Sequence, residues 1–265
     1  MSDTTGYRRA LITGASTGLG AAFAQDLARR GCAVILVARS ADRLQALAER
    51  LRSEYAIDTA VVPADLTDRT GQRKIEDLVA GDDAIDLVIN NAGFGTLGRF
   101  AELDLDGEMA EVELNVVAVV RLTHAALAPM VRRGRGAVIN VASLAAFQPA
   151  PYNATYGATK AYLKSFTESL AEELRGTGVR VQVLCPGFTH TEFQQRAGLD
   201  ESRVPGFAWM SADDVVRRSL DALARGTVVC VPGASNWMMA GMARLAPEGL
   251  LRRVIGASAK RLIIG

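Results

Sequence analysis

The stretch Arg9-Ala10-Leu11-Ile12-Thr13-Gly14-Ala15-Ser16-Thr17-Gly18-Leu19-Gly20 decides the architecture. It joins a short β-branched run to three glycines spaced GxxxGxG, and a helical pattern over Gly18 to Gly31 follows. Glycine permits backbone conformations closed to other residues and lets a ligand approach the main chain. The helix N-terminus behind it presents unpaired N–H groups and partial positive charge, which suit a pyrophosphate. A tight strand-to-helix turn is the plainer reading of the same glycines.

Outward from this turn, strand and helix patterns alternate. Strands are predicted at Ala33 to Ala38, Thr59 to Pro63, Ile85 to Asn90, Gly136 to Val141, Val179 to Cys185 and Thr227 to Val231. Helices are predicted at Ala41 to Tyr55, Arg69 to Ala80, Asp106 to Arg133, Tyr156 to Arg175 and Ala212 to Ala224. The strands are nearly continuously apolar instead of alternating, as in strands covered on both faces. The expectation is an α/β, Rossmann-like, doubly wound parallel sheet of about seven strands in a three-layer αβα sandwich. No linker or internal repeat divides the chain, so 1–265 reads as one domain. Its core spans about 8–231, with a helical tail over about 232–265.

The 265 residues carry 30 Lys+Arg against 29 Asp+Glu, which excludes an overtly basic nucleic-acid binder. Three separated cysteines and two histidines argue against a disulfide framework and a metal centre. The N-terminus has no apolar run of signal-peptide length, and no stretch approaches the roughly 18 to 20 apolar residues of a membrane span. A cytoplasmic protein is the expectation.

Further motifs follow in order: Asp65-Leu66, Asn90-Asn91-Ala92-Gly93, Asn115, Ser143, Tyr156-Gly157-Ala158-Thr159-Lys160 and Pro186-Gly187. Together the sequence resembles the short-chain dehydrogenase/reductase family, over about Arg8 to Val231. The resemblance implies that Gly14, Gly18 and Gly20, with Ser16, Thr17 and Leu19, form a dinucleotide loop. It implies that Asp65 and Leu66 contact adenine, and that Asn91, Ala92 and Gly93 line the adenosine ribose. Pro186, Gly187, Thr189 and Thr191 would flank nicotinamide and pyrophosphate. A helix cap is the alternative for Asp65.

Ala38 and Arg39 stand where NAD-binding folds place a carboxylate for the ribose 2′-OH. A guanidinium pairs well with a 2′-phosphate, so NADP(H) is the expected cofactor, with Ser40 adding a hydroxyl. A solvated Arg39 at a helix start is the alternative.

Tyr156 and Lys160 are i and i+4 on one predicted helix face. A cation beside a phenol should lower its pKa from about 10 toward the useful acid–base range. The resemblance assigns Tyr156 as general acid/base and Lys160 to the nicotinamide ribose. It assigns Ser143 to the substrate oxygen and Asn115 to a water-linked proton relay.

The expected reaction is hydride transfer between NADPH and a small-molecule carbonyl or secondary alcohol, apolar and 3-oxoacyl or hydroxysteroid-like. Phe94, Phe147, Phe188, Phe193 and Trp209 are the pocket candidates. The competing reading is an NADP(H)-binding sensor without turnover. The tail reads as a pocket cap, a subunit contact or a membrane-facing segment. By resemblance the protein assembles as a homodimer or homotetramer.

Overall fold

The computed structural model describes residues 6–193 and 204–245, together with 249, 252, 253, 255, 256 and 259. Seven parallel strands form one sheet in the order β3-β2-β1-β4-β5-β6-β7. They are β1 Arg9–Thr13, β2 Ala33–Ala38, β3 Thr59–Pro63, β4 Ile85–Asn90, β5 Gly136–Val141, β6 Val179–Leu184 and β7 Val229–Cys230. β4 and β5 are buried along their whole length, which explains why they are apolar apart from Asp86, Asn90 and Asn140.

The helices are α1 Gly18–Arg29, α2 Ala41–Tyr55, α3 Arg69–Gly81, α4 Leu105–Val112, α5 Ala118–Arg132, α6 Ala154–Glu173, α7 Ala212–Ala224 and α8 Ala234–Leu245. On one face Phe23, Leu27, Leu44, Leu51, Val215 and Leu220 pack against Ile12, Leu36 and Ile139. On the other, Ile75, Val79, Leu122, Met130 and Leu174 pack against Leu11, Val88 and Val138. The result is the expected three-layer α/β sandwich.

β1 pairs with both β2 and β4, so the strand order reverses beside it. In open α/β sheets this reversal opens a crevice at the carboxyl ends of the strands. The glycine turn after β1 and Asn91–Gly93 after β4 both open into that crevice.

Two expectations need correction. The seventh strand is Val229–Cys230, not Thr227 to Val231. Thr227 N–H instead closes α7 on the Ala222 carbonyl at 2.9 Å, and Pro232 lacks the N–H needed to continue the ladder. Second, the 28-residue helical run Leu105–Arg132 contains an 18-residue window of mean hydropathy 1.6, enough by length and composition to cross a membrane. It is a core helix: Ala118, Leu122, Ala126 and Met130 lie in the sheet-facing cluster. Its two α segments are joined by a π turn at Glu113–Val117.

A buried polar ladder crosses the sheet centre. Asn90 Nδ2 donates to Asn140 Oδ1 at 2.9 Å, and Asn140 Nδ2 donates to Thr167 Oγ1 at 3.0 Å. Asn140→Ala removes two buried hydrogen bonds, leaving Asn90 Nδ2 with Thr123 Oγ1 and Thr167 Oγ1 with the Leu163 carbonyl, so unfolding free energy should fall by about 2 kcal/mol in urea titration. A loss below about 0.5 kcal/mol would show the ladder to be incidental.

Candidate active site and cofactor crevice

Tyr156 lies in the first turn of α6, nearly buried, and Lys160 follows one turn later at 4% exposure. Lys160 Nζ sits 5.4 Å from the Tyr156 ring centroid and donates to the Val141 carbonyl at 3.0 Å. Ser143 leaves the end of β5 and caps the short 3-10 turn Leu144–Phe147, its Oγ accepting from Ala145 N–H at 3.2 Å.

Asn115 is fully buried in the π turn. Its Nδ2 donates to the Phe94 carbonyl at 2.9 Å and to Thr159 Oγ1 at 3.2 Å, while its Oδ1 accepts from Phe94 N–H at 3.2 Å. A π turn adds a residue to the helical turn and re-aims what it carries. At Gly93 a Cβ would stand 2.8 Å from Asn115 Oδ1 and 3.3 Å from Lys160 Nζ. Asn115, Lys160 and Gly93 therefore converge, although 67 residues separate Gly93 from Lys160.

The titration of Tyr156 runs opposite to the expectation from Lys160 alone. Burial pushes the phenol up to about 12, with the Ser143 hydrogen bond pulling down and the Glu111 charge adding to the rise. Burial pulls Lys160 down to about 8, against the upward pull of Glu111. Removing charge from water outweighs an ammonium at this distance, so Tyr156 is held as a phenol. A phenol is a proton donor.

In the glycine turn, Gly14 and Gly18 hold left-handed φ values of +64° and +56°. Thr17 occupies the N-cap position of α1 with no side-chain capping bond, and no acidic residue lies in the first turn. The helix N-terminus thus keeps its positive end uncompensated beside Ser16, Thr17 and Leu19. Thr191 packs against Gly18, at 3.2 Å from a Cβ placed there.

Asn91 acts as a staple: its Nδ2 donates to the Thr13 carbonyl at 2.9 Å. Thr13 Oγ1 in turn accepts from the N–H groups of Asn91 and Ala92, both at 3.0 Å. Thr13 escaped the sequence reading, because a strand-end threonine has no pattern of its own.

Asp65 does not cap α3; Asp68 does, accepting from Gly71 N–H at 2.9 Å. Asp65 Oδ1 accepts from Thr67 N–H and Oγ1, and its Oδ2 lies 3.9 Å from Arg39 Nη1. Leu66 is buried among the core residues facing α3. Arg39 is otherwise exposed at the end of β2, and Ser40 stands at the N-cap of α2 without a capping bond. Across the crevice, the Pro186 carbonyl accepts from Leu144 N–H at 2.9 Å. Thr189 is buried, its Oγ1 donating to the Gly187 carbonyl at 3.1 Å. Asn236 of α8 fills the space a Cβ on Gly187 would need.

The aromatic candidates separate. Phe193 lies 5.7 Å from the Tyr156 ring, centroid to centroid. Phe94 holds Asn115 through its backbone. Phe147 instead packs against Val119, Leu163 and Cys185, with Lys164 Nζ over its ring. Phe188 and Trp209 meet at 5.5 Å with their rings tilted by 44°, and Trp209 stacks on His190 at 4.7 Å, giving that histidine a packing role. Residues 194–203, between Phe193 and Trp209, lie outside the described residues. In the tail, Met239 and Ala240 face Leu144, Phe147 and Gln148, while Trp237 and Met242 are exposed.

Four residues around this centre were missed: Gly95, Thr96, Glu108 and Glu111. A Cβ on Gly95 would stand 2.9 Å from Tyr156 Cδ2. The available signal was helical spacing, since Glu108, Glu111 and Asn115 recur at three and four residues.

The sequence matches the family model for short chain dehydrogenases over residues 8–202. An uncharacterized oxidoreductase of Myxococcus xanthus (strain DK1622) is 36% identical over 259 residues, 97% of this chain and 98% of its own. A solved short-chain dehydrogenase from Sphingobium yanoikuyae in complex with NADPH is 36% identical with TM-score 0.83, covering 92% and 94% of the two chains. The bulky-bulky ketone specific alcohol dehydrogenase from Comamonas testosteroni is 33% identical with TM-score 0.79, covering 93% and 94%. The chain belongs to the short-chain dehydrogenase family.

Proposed function

We propose that this protein is an NADP(H)-dependent carbonyl reductase acting on an apolar ketone, the reverse reaction oxidising a secondary alcohol. The observation that carries this is the meeting of Ser143, Tyr156, Lys160 and Asn115 beside the glycine turn. When bound, the dihydronicotinamide supplies a hydride to the carbonyl carbon. Ser143 Oγ donates a hydrogen bond to the substrate oxygen, and Tyr156 Oη gives its proton to the oxygen as charge develops there. Lys160 holds positive charge against the phenolate left behind and offers donors to the nicotinamide ribose. Asn115 keeps the 93–94 backbone in place behind Lys160. The NADPH complex of the Sphingobium relative and the ketone specificity of the Comamonas one support the cofactor and substrate class. Phe193 beside Tyr156 gives an apolar wall to the reacting carbonyl.

Arg39 has the charge and exposure to take the 2′-phosphate, exchanging a 3.9 Å pair with Asp65 that is weak at the surface. Arg39→Ala should weaken NADPH binding about tenfold or more and leave NADH within about twofold. Equal losses for the two dinucleotides would remove Arg39 from the phosphate site.

The deciding experiment titrates the protein with NADPH and NADH by fluorescence, then follows nicotinamide absorbance against a panel of aldehydes, ketones, 3-oxoacyl thioesters and steroids. NADPH consumption with an apolar ketone supports the reading. Tight NADPH binding without turnover across the panel favours the sensor, and no dinucleotide binding overturns both.

A further inference from the structure

Behind the Tyr156–Lys160 pair lies a buried acidic cluster that the reaction described above does not use. Glu111 is fully buried on α4, one turn before Asn115. Its Oε2 accepts from Thr96 N–H at 3.0 Å and lies 3.1 Å from Thr96 Oγ1, whose one proton it shares with Glu108. Its Oε1 is buried and has no hydrogen-bond partner among the described residues. Glu108, one turn earlier, accepts from the hydroxyls of Thr96 and Thr155. Thr155 directly precedes Tyr156, and Gly95 directly precedes Thr96 and lies against the Tyr156 ring.

We propose that Glu111 is a positioning residue: through Thr96 it pins the loop that abuts the Tyr156 ring, and its Oε1 provides the buried negative charge that balances the Lys160 ammonium. A carboxylate is costly to bury without a full set of donors. Lys160, also buried, is the cation whose charge acts on it, and each charge offsets the other's desolvation. The titratable groups that bear on Glu111 are Glu108 on its own helix and Lys160 and Tyr156 on α6. Burial chiefly, with Glu108 adding, pushes Glu111 up to about 7. The pull is mutual: the Glu111 carboxylate strengthens the hold of Lys160 on its proton, and the ammonium favours the ionised carboxylate. Removing the charge must lower the pH at which Lys160 loses its proton.

The assignment of a catalytic consequence rests on the function proposed above; the charge balance does not. The test is Glu111→Gln, which keeps an acceptor for Thr96 and removes the charge. In the ligand-free protein, the pH dependence of Lys160 acylation is followed by peptide mass spectrometry. The labelling midpoint should fall by about one pH unit. The basic limb of the kcat profile for carbonyl reduction should fall by the same amount. Thr96→Val, which loosens the loop and leaves the charge, should lower kcat with the labelling midpoint unmoved. An unchanged Lys160 midpoint in Glu111→Gln overturns the proposal, even if turnover drops. A shifted midpoint in a protein that reduces no carbonyl upholds it and defeats the proposed function alone.

Discussion

Tyr156→Phe should lower kcat for carbonyl reduction by about a thousandfold while NADPH affinity stays within about twofold. The substitution deletes one oxygen and leaves the ring, so the contacts with Gly95 and Phe193 survive. What disappears is the phenol proton, which the site holds up to about pH 12. A thousandfold corresponds to about 4 kcal/mol of barrier, within the range of general acid catalysis. The measurement is steady-state kinetics beside a fluorescence titration of the same preparation. Residual turnover above about a tenth of wild type would mean that another group protonates the product oxygen.

Gly20→Ala is expected to have the second largest effect, on binding instead of chemistry. A Cβ there would stand 2.2 Å from the Gly14 carbonyl oxygen and 2.7 Å from Asn91 Nδ2. Neither atom is the end of a flexible chain, because Asn91 is itself stapled to the Thr13 and Gly14 carbonyls. α1 has to shift away from the turn, and its N-terminus moves off the pyrophosphate position. NADPH affinity should fall by about a hundredfold or more, roughly 2.7 kcal/mol. Tm should drop by several degrees, at about 2–4 °C per kcal/mol for a chain of this class. Gly81→Ala is the control: it ends α3 with nothing within 4 Å, and should be neutral or slightly stabilising. Wild-type affinity in Gly20→Ala would show that the close approach of α1 to the turn is not needed for binding.

The elements legible in the sequence are those governed by local pattern. β1 through β5 lie where the apolar runs placed them: β1, β2, β4 and β5 are covered on both faces and so mostly apolar, and the edge strand β3 keeps the β-prone run TAVVP. α2 and α7 begin where Ser40 and Ser211 stand before the helical periodicity. β7 was drawn too long because TVVCV is as β-prone as a strand, yet α7 claims its first N–H and Pro232 ends the ladder. The aromatic set was equally ambiguous: a Phe in a loop has the same local signal whether it meets Tyr156, as Phe193 does, or the core, as Phe147 does.

By itself the sequence determined the α/β architecture, the glycine turn at the head of α1, and the placing of Tyr156 and Lys160 on one helical face. All of these follow from periodicity and from residue types a few positions apart. Tertiary structure alone decided the π turn that re-aims Asn115, the stapling of Asn91 to Thr13, and the gathering of Glu108 and Glu111 on Thr96. It also decided that Tyr156 is held as a phenol and Lys160 pulled down to about 8. The reason is desolvation: the cost of a charge depends on how much water every surrounding element removes, and those elements come from across the chain.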